Sequence, residues 1–230
     1  MLISLDWLNE LVDLKTVNFE YLIETLTLGG FEVENSYELI RKNKKDIILD
    51  ISPTPNRSDS LSFKGIAKEV SSLINKFSTL SKYGNEVCET EKLITNSILK
   101  ISNLYNGKKN YSIFCTVTVE NLTTFYSPNW LQQKLLRVGI EPCNNLLDLK
   151  HYIRLESGYP FEFYDLDKIR LALQSNNFKL SLNFEKFLES FQVSNSLQSD
   201  INSNILVLKA HQEILSIAGI LVNKKFEYDN

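Results

Sequence analysis

The chain has 230 residues, 43% of them hydrophobic and 11% aromatic. That is enough to bury a sizeable core, and the composition is that of a folded protein rather than a disordered one. A formal net charge of −3 excludes nucleic-acid binding by bulk electrostatics alone, so any RNA contact must be local or shared with a partner.

The first predicted helix covers residues 4–12, with Leu5, Leu8, Leu11 and Val12 on one face. A second covers 18–28 through Phe19, Leu22, Ile23 and Leu26, and stops at Gly29-Gly30, where glycine takes a left-handed cap without a Cβ clash. FEVEN (31–35) reads as a short strand, and the run 36–45, ending in RKNKK, as a solvated connector rather than an RNA patch. DIILDIS (46–52) is a strand. Ser58 or Asp59 is expected to cap the next helix, whose apolar face is Leu61, Ile66, Ala67, Val70, Leu73 and Ile74. Residues 75–97 read as loop with at most a short helix.

ILKIS (98–102) and YSIFCTVTVE (111–120) read as strands joined by a turn at NGKK (106–109). SPNWLQQKLLRVGI (127–140) is a helix capped by Ser127, with Pro128 in its first position, Leu131, Leu135 and Val138 inward, and Gly139 at its end. NNLLDLKHYIRLESG (144–158) is a helix closed by Gly158, and YPFEFYDLDKI an aromatic-rich loop. Residues 171–203 give no clear pattern. LVLKA (206–210) and EILSIAGIL (213–221) read as paired strands. The fold class is therefore α+β, with a small helical N-terminal domain (1–40) followed by a mixed α+β core domain (41–230).

Chemistry-bearing residues are sparse. Three scattered cysteines, Cys88, Cys115 and Cys143, have no CxxC spacing, and the two histidines, His151 and His211, are far apart. A disulfide framework or metal site is not expected, and a reducing compartment is the default. No apolar run approaches the roughly 20 residues of a membrane-spanning helix, and no membrane partner is expected. The opening MLISLDWLNELVDLK is amphipathic and acidic, unlike a secretory signal or an Arg-rich transit peptide. The expectation is that the chain begins at its own folded domain in the compartment where it is made. Heavy use of Asn, Lys, Ile, Leu, Ser, Phe and Tyr points to AT-rich coding, as in a reduced or organellar genome.

Between strand and helix lies TPNRSDSLSFKGIAKEV (54–70). Pro53 and Pro55 fix φ and push the residues before them towards extended geometry. Asn56 and Asp59 can bond turn backbone, Arg57 is placed to pair with a carboxylate, and Gly65 lets the helix approach a neighbour. The stretch resembles the TPNRxDxLSxxGIAxE segment of bacterial-type phenylalanine–tRNA ligase beta subunits. Further segments resemble the same family in the same order: ISLDWLNELVDL, LTLGGFEVE, the run from SPNWLQQKLLRVGIEPCNN to YDLDKI, and ILSIAGI.

The resemblance implies a subunit of an enzyme that joins phenylalanine to its tRNA using ATP and magnesium. Synthesis then lies on an alpha subunit, two alpha and two beta chains assemble, and the beta core proofreads mischarged tyrosine. No cofactor is expected on this chain itself. The junction residues Pro53, Pro55, Asn56, Arg57, Asp59 and Gly65 are expected to hold structure rather than touch substrate.

Departures from the pattern bear on function. FEVEN reaches DIILDIS in about a dozen residues, too few for the oligonucleotide-binding barrel that many beta subunits insert there. The chain stops at Asn230, before the further domains of the family, so it is either an N-terminal portion or a severely shortened product. In the family's GQPxHAFD loop a histidine lies at the ester-bearing end of the pocket; here GYPFEFYD puts Glu162 in its place. Ala218 and Gly219 lie in the late Leu-Ala-Gly strand, after which Asn223 and Lys224 fall where Gly and Glu would follow. Loss of proofreading is the expectation, with catalytic residues absent from this chain, against a rival in which Glu162 acts as general base.

His151 reads as a satisfied helix histidine, His211 as a turn residue, Asp165 and Asp167 as members of a structural loop, and Trp130, Tyr159, Phe161, Phe163 and Tyr164 as packing aromatics. The expected role is assembly and placement of phenylalanine tRNA, in a plastid with the chain organelle-encoded, or otherwise in cytoplasm. The alternatives are a free-standing aminoacyl-tRNA hydrolase and a non-enzymatic tRNA-binding module.

Overall fold

The computed structural model describes residues 1–41, 44–75, 100–101, 115–119, 126–185, 188–192, 198–201 and 205–228. It is mixed α and β, with antiparallel sheets, and its contacts divide it into two compact units. One comprises residues 1–95 and 123–159, the other 96–122 and 160–230.

The first unit is built on a three-stranded sheet of order β1-β3-β2, formed by β1 (Leu2–Ser4), β2 (Phe31–Arg41) and β3 (Lys44–Pro53). The strand β1, unread in the sequence because it is only three residues long, pairs antiparallel with β3 from Leu2↔Asp50 to Ser4↔Ile48. Two expectations are corrected by β2. The short strand at 31–35 runs on to Arg41, and the described residues of the connector, 36–41 and 44–45, are strand, paired from Phe31↔Pro53 to Arg41↔Lys44. Arg41, Lys44 and Lys45 of the basic run thus stand at the strand ends, where polar residues give no strand pattern.

Helices α1 (Leu5–Leu11) and α2 (Phe19–Leu28) are capped by Ser4 and Asn18, whose side chains accept from Trp7 N and from Glu20 and Tyr21 N. The left-handed residue at the end of α2 is Gly30, with φ of 88°. Helix α3 (Phe63–Leu73) is capped by Ser62, which accepts from Gly65 N at 3.0 Å, not by Ser58 or Asp59, which form a 3-10 turn with Ser60. That shift of start leaves Leu61, expected on the buried face, 53% exposed, and buries Phe63 instead.

Helix α4 (Asn129–Arg137) has Pro128 at its N-cap, with Leu131, Leu135 and Val138 buried as its pattern predicts. Ser127, expected as its cap, donates its hydroxyl to Asp148. Helix α5 (Leu146–Ser157) is capped by Asn145 and closed by left-handed Gly158. The core of this unit gathers Ile3, Trp7, Leu8, Leu26, Phe31, Leu49, Ile51, Phe63, Ile66 and Val70. Trp7 stacks on Phe63 with centroids 3.8 Å apart and on Tyr152 at 5.3 Å.

The second unit carries α6 (Leu166–Leu173) and a sheet of order β11-β10-β9-β6, formed by β6 (Leu180–Glu185), β9 (Ile205–Ala210), β10 (Glu213–Ile217) and β11 (Leu221–Val222). The pairing of 206–210 with the start of 213–221 holds, but β10 ends at Ile217 and residues 218–220 turn back into β11. The expected loop YPFEFYDLDKI ends in helix from Leu166 on: Asp165 caps α6 by accepting from Asp167 N and Lys168 N. Residues 171–203 contribute the end of α6, β6 and the pair β7 (Leu188–Gln192) and β8 (Gln198–Ile201). Ile169, Leu182, Leu208, Ala210, Leu215 and Phe226 form this unit's core.

The predicted strands at 98–102 and 111–120 appear in the paired β4 (Lys100–Ile101) and β5 (Cys115–Thr116). Residues 117–119, expected to continue the second strand, are exposed and outside any strand; the remainder of both, the turn at 106–109, Cys88 and the loop at 76–97 lie outside the described residues.

Candidate functional site

The junction after β3 is a tight turn. Arg57 N donates to Thr54 O at 2.9 Å, which puts Pro55 and Asn56 at its two central positions, where proline's fixed φ and asparagine's tolerance of turn geometry suit them. Pro53 closes the β2–β3 ladder opposite Phe31. From the turn, the Arg57 guanidinium forks onto Asp59 (3.1 and 3.0 Å), reaches Glu69 on α3 at 2.5 Å and lies 5.4 Å over the Phe31 ring. These contacts hold Arg57 charged, and the Arg57 hydrogen bond holds the Asp59 carboxyl below the usual carboxylate range. A Cβ on Gly65 would stand 2.1 Å from the Asp59 carbonyl oxygen. These partners lie on β2, in the turn and on α3, so the cluster ties the three together.

Two buried carboxylates that sequence reasoning passed over do the same nearby. Asp46 accepts from Ser4 Oγ (2.6 Å) and Asp6 N (3.1 Å) and pairs with Arg137 at 3.5 Å. Asp148 is fully buried and accepts from Ser127 Oγ, Cys143 N (2.8 Å) and Asn144 N (2.9 Å), fixing the entry to α5. The only signal for them was a carboxylate within an apolar run. Trp130 meets the edge of Tyr152, and Lys134 lies 4.9 Å from the Trp7 ring centroid while pairing with Glu10. Its charge is answered within the fold.

In the second unit the loop 160–165 and the chain from β10 to residue 227 come together. A Cβ on Gly219, which has φ of 73°, would lie 3.2 Å from Pro160 Cγ. Four residues along the loop, the Tyr164 hydroxyl is 2.7 Å from Ser216 Oγ on β10. Tyr164 forms an antiparallel bridge with Glu227, and Asp165 N donates to Phe226 O at 3.0 Å. Glu162 lies half-buried between these anchors. Burial, reinforced by the Glu162 charge and opposed by the Ser216 hydrogen bond, pushes the Tyr164 phenol up to about 12.

Ala218 and Gly219 form the β10–β11 turn. Past β11, Asn223 donates its amide to Ile214 O (3.0 Å) and accepts from Lys225 N (3.1 Å). Lys224 pairs with Glu227 at 2.7 Å, both side chains partly exposed. Asn223 and Lys224 are thus engaged with their own segment. Tyr164 was read only as a packing aromatic and Ser216 was passed over, because a lone serine fits any strand and nothing in the letters pairs the two hydroxyls.

Asp165 and Asp167 serve helix α6, as cap and first-turn residue, the latter 3.7 Å from Arg170. A shallow surface depression lies along the same helix, lined by Asp167, Arg170, Leu171, Gln174, Ser175 and Asn176. His151 sits mid-helix on α5; burial, with Lys150 and Arg154 behind it, lowers its pKa. His211 takes φ of 53° in the two-residue β9–β10 turn. Among the described residues no group of three or more His, Cys, Asp or Glu side chains is arranged to hold a metal, and no helix is long and apolar enough to cross a membrane.

The family model described as the B3/4 domain matches residues 110–230. Along the whole chain the similarity is to proteins named phenylalanine–tRNA ligase beta subunit, chloroplastic. That of Phaeodactylum tricornutum is 42% identical over 223 residues, covering 97% of this chain and 31% of its own length. That of Pyropia yezoensis is 34% identical over 233 residues, covering 100% and 31%. A phenylalanine–tRNA ligase beta subunit of Trichormus variabilis is 25% identical over 182 residues, 79% of this chain and 22% of its own length. The chain spans about a third of the length of the chloroplastic relatives it matches.

Proposed function

The chain belongs to the B3/4 domain family, and from that premise we propose that it is part of a plastid phenylalanine–tRNA ligase beta subunit whose proofreading pocket has lost hydrolysis. In this reading the complete enzyme charges phenylalanine tRNA with ATP and magnesium, and synthesis resides on an alpha subunit. Two alpha and two beta chains associate, and this chain serves assembly and tRNA placement. It holds neither ATP nor metal itself. Relatives named as chloroplastic support the plastid, and the Asn-, Lys- and Ile-rich composition supports an organelle gene. The chain order of the family proposes a small N-terminal domain (1–40) ahead of the core (41–230), a division by descent that the contact-based units cross.

One observation carries the loss of hydrolysis. The positions that resemble the pocket's working groups hold Glu162 and Lys224, and Lys224 is bound to Glu227 while Asn223 braces Ile214 and Lys225. A pocket of this kind needs a group that recognises the tyrosine hydroxyl and a group that holds water at the ester, because an apolar site rejects an added hydroxyl only about a hundredfold. Ala218, Gly219 and the half-buried loop around Glu162 retain the frame without those groups. The junction residues Pro53, Pro55, Asn56, Arg57, Asp59 and Gly65 are scaffold in the same reading.

The assembly role is tested by co-expressing the beta chain that carries these residues with its plastid alpha subunit and measuring the mass of the purified complex by light scattering. A complex of two alpha and two beta chains that charges phenylalanine tRNA is the expected result. An alpha subunit that charges tRNA at full rate without this chain would overturn the role.

A further inference from the structure

The ladder between β2 and β3 runs on beyond β1, which ends at the pair Ser4↔Ile48. Past that point the two strands continue as a ribbon through Glu38↔Ile47, Leu39↔Asp46 and Ile40↔Lys45 to Arg41↔Lys44. Its root is tied to the rest of the unit. Buried Asp46 accepts from Ser4 Oγ at 2.6 Å and from Asp6 N at 3.1 Å. The outer part buries little, with Tyr37 45% and Ile40 70% exposed. Apolar burial therefore does not account for the length of the ribbon.

In charge the outer end differs from the chain as a whole. The run LIRKNKK (39–45) carries cations and no acid, in a chain of net charge −3. The acid just before it, Glu38, pairs with Lys45 at 2.6 Å, both side chains more than half exposed. Such a surface pair contributes little, so Lys45 can exchange it for an anion from outside. Arg41 and Lys44 stand opposite each other in the last pair of the ladder, and Lys45 follows Lys44. Neighbours along a strand are about 3.3 Å apart and paired strands about 4.8 Å, so three cationic residues gather where the ladder closes. A slack connector would lose conformational freedom on binding, whereas a hydrogen-bonded ribbon has its backbone already ordered. An exposed aromatic and an exposed aliphatic residue beside the cations suit a nucleic acid, whose bases stack on such side chains, better than an acidic protein surface.

We infer that the outer end of the β2–β3 ribbon, at Arg41, Lys44 and Lys45, contacts the phosphate backbone of tRNA. This deepens the tRNA-placement role proposed above and rests on it. A chain of negative net charge cannot hold RNA by its overall field, so placement needs a local basic element, and the ribbon supplies one. Phosphate contacts fix the register of a nucleic acid without reading its sequence, which is the task of an element that places tRNA.

The test is tRNA binding by the assembled alpha–beta enzyme, read as Kd by fluorescence anisotropy at several salt concentrations. Arg41→Ala/Lys44→Ala/Lys45→Ala is expected to bind about tenfold more weakly at low salt, and its log–log salt dependence should flatten by about 2. Lys44→Arg/Lys45→Arg keeps the charge and should keep both values. Lys15→Ala/Lys68→Ala removes two exposed cations elsewhere in the unit and should also leave both unchanged. A triple variant that matches the wild type in Kd and salt dependence would overturn the inference and leave the placement role standing. A wild-type enzyme that does not bind tRNA would overturn both. Equal weakening by Lys15→Ala/Lys68→Ala would overturn the inference as an effect of total charge. A triple variant that no longer assembles with the alpha subunit would overturn it too, by assigning the ribbon to a protein contact.

Discussion

At Gly65 the added Cβ would stand 2.1 Å from the Asp59 carbonyl oxygen and 2.9 Å from Ser60 Cα; both are backbone atoms that cannot swing aside. Gly65→Ala is expected to cost about 3 kcal/mol, at the upper end for overpacking, read as a lower denaturant midpoint for the first unit. Asp148 carries three donors in full burial. Asp148→Ala strands them and should also cost about 3 kcal/mol, with Asp148→Asn losing less because an amide still offers one acceptor oxygen. A midpoint unchanged in Asp148→Ala would contradict the described network.

Two titrations follow from burial. The fold favours neutral His151, so its contribution is complete above the unfolded value near 6.5 and fades as pH falls through the lowered folded value. NMR of the imidazole protons should show a midpoint below 6.5. Tyr164 runs the other way, because its phenol is held protonated to about 12. Its contribution is present below pH 10 and is lost as pH rises from 10 to about 12. Ultraviolet titration of phenolate should show one late-ionising tyrosine that Tyr164→Phe removes.

At the scale of elements, the caps explain where each helix begins. Ser62 accepts from Gly65 N, and Ser62→Ala should cost about 1 kcal/mol, measured by chemical unfolding; Ser58→Ala should cost little by comparison. Ser58 and Asp59 read as the cap from their residue type, and the 3-10 turn they form with Ser60 moves the helix start to Ser62. Helices α1, α2, α4 and α5 were legible because their apolar residues recur at helical spacing and glycines mark three of their ends. The hairpin β2–β3 was half hidden, since residues 34–40 are mostly exposed and show no apolar alternation. Helix α6 was hidden for another reason: its start overlaps an aromatic loop, and its cap, Asp165, was read as one of a pair of loop carboxylates.

For the molecule as a whole, the α+β class and the family resemblance were readable; the B3/4 match agrees with the first, and the similarity over 97% of the chain with the second. The candidate site was readable only as positions. Glu162 and Lys224 were singled out from the resemblance alone; that Lys224 is bound to Glu227 three residues on is a local fact of the 3-10 turn, and that Tyr164 reaches Ser216 is one of three-dimensional placement between residues far apart in the chain. At the junction Arg57 pairs both with a neighbour two residues away and with Glu69, twelve residues on in α3.

The account turns on whether a B3/4 scaffold with Glu162 and Lys224 in these positions still cleaves a mischarged ester. The decisive measurement is the deacylation rate of tyrosyl-tRNA(Phe) by the assembled alpha–beta enzyme, compared with the spontaneous rate in the same buffer. The two rates are expected to coincide, and to remain so in Glu162→Ala. Turnover well above the spontaneous rate that disappears in Glu162→Ala would make the glutamate a working base and contradict the account.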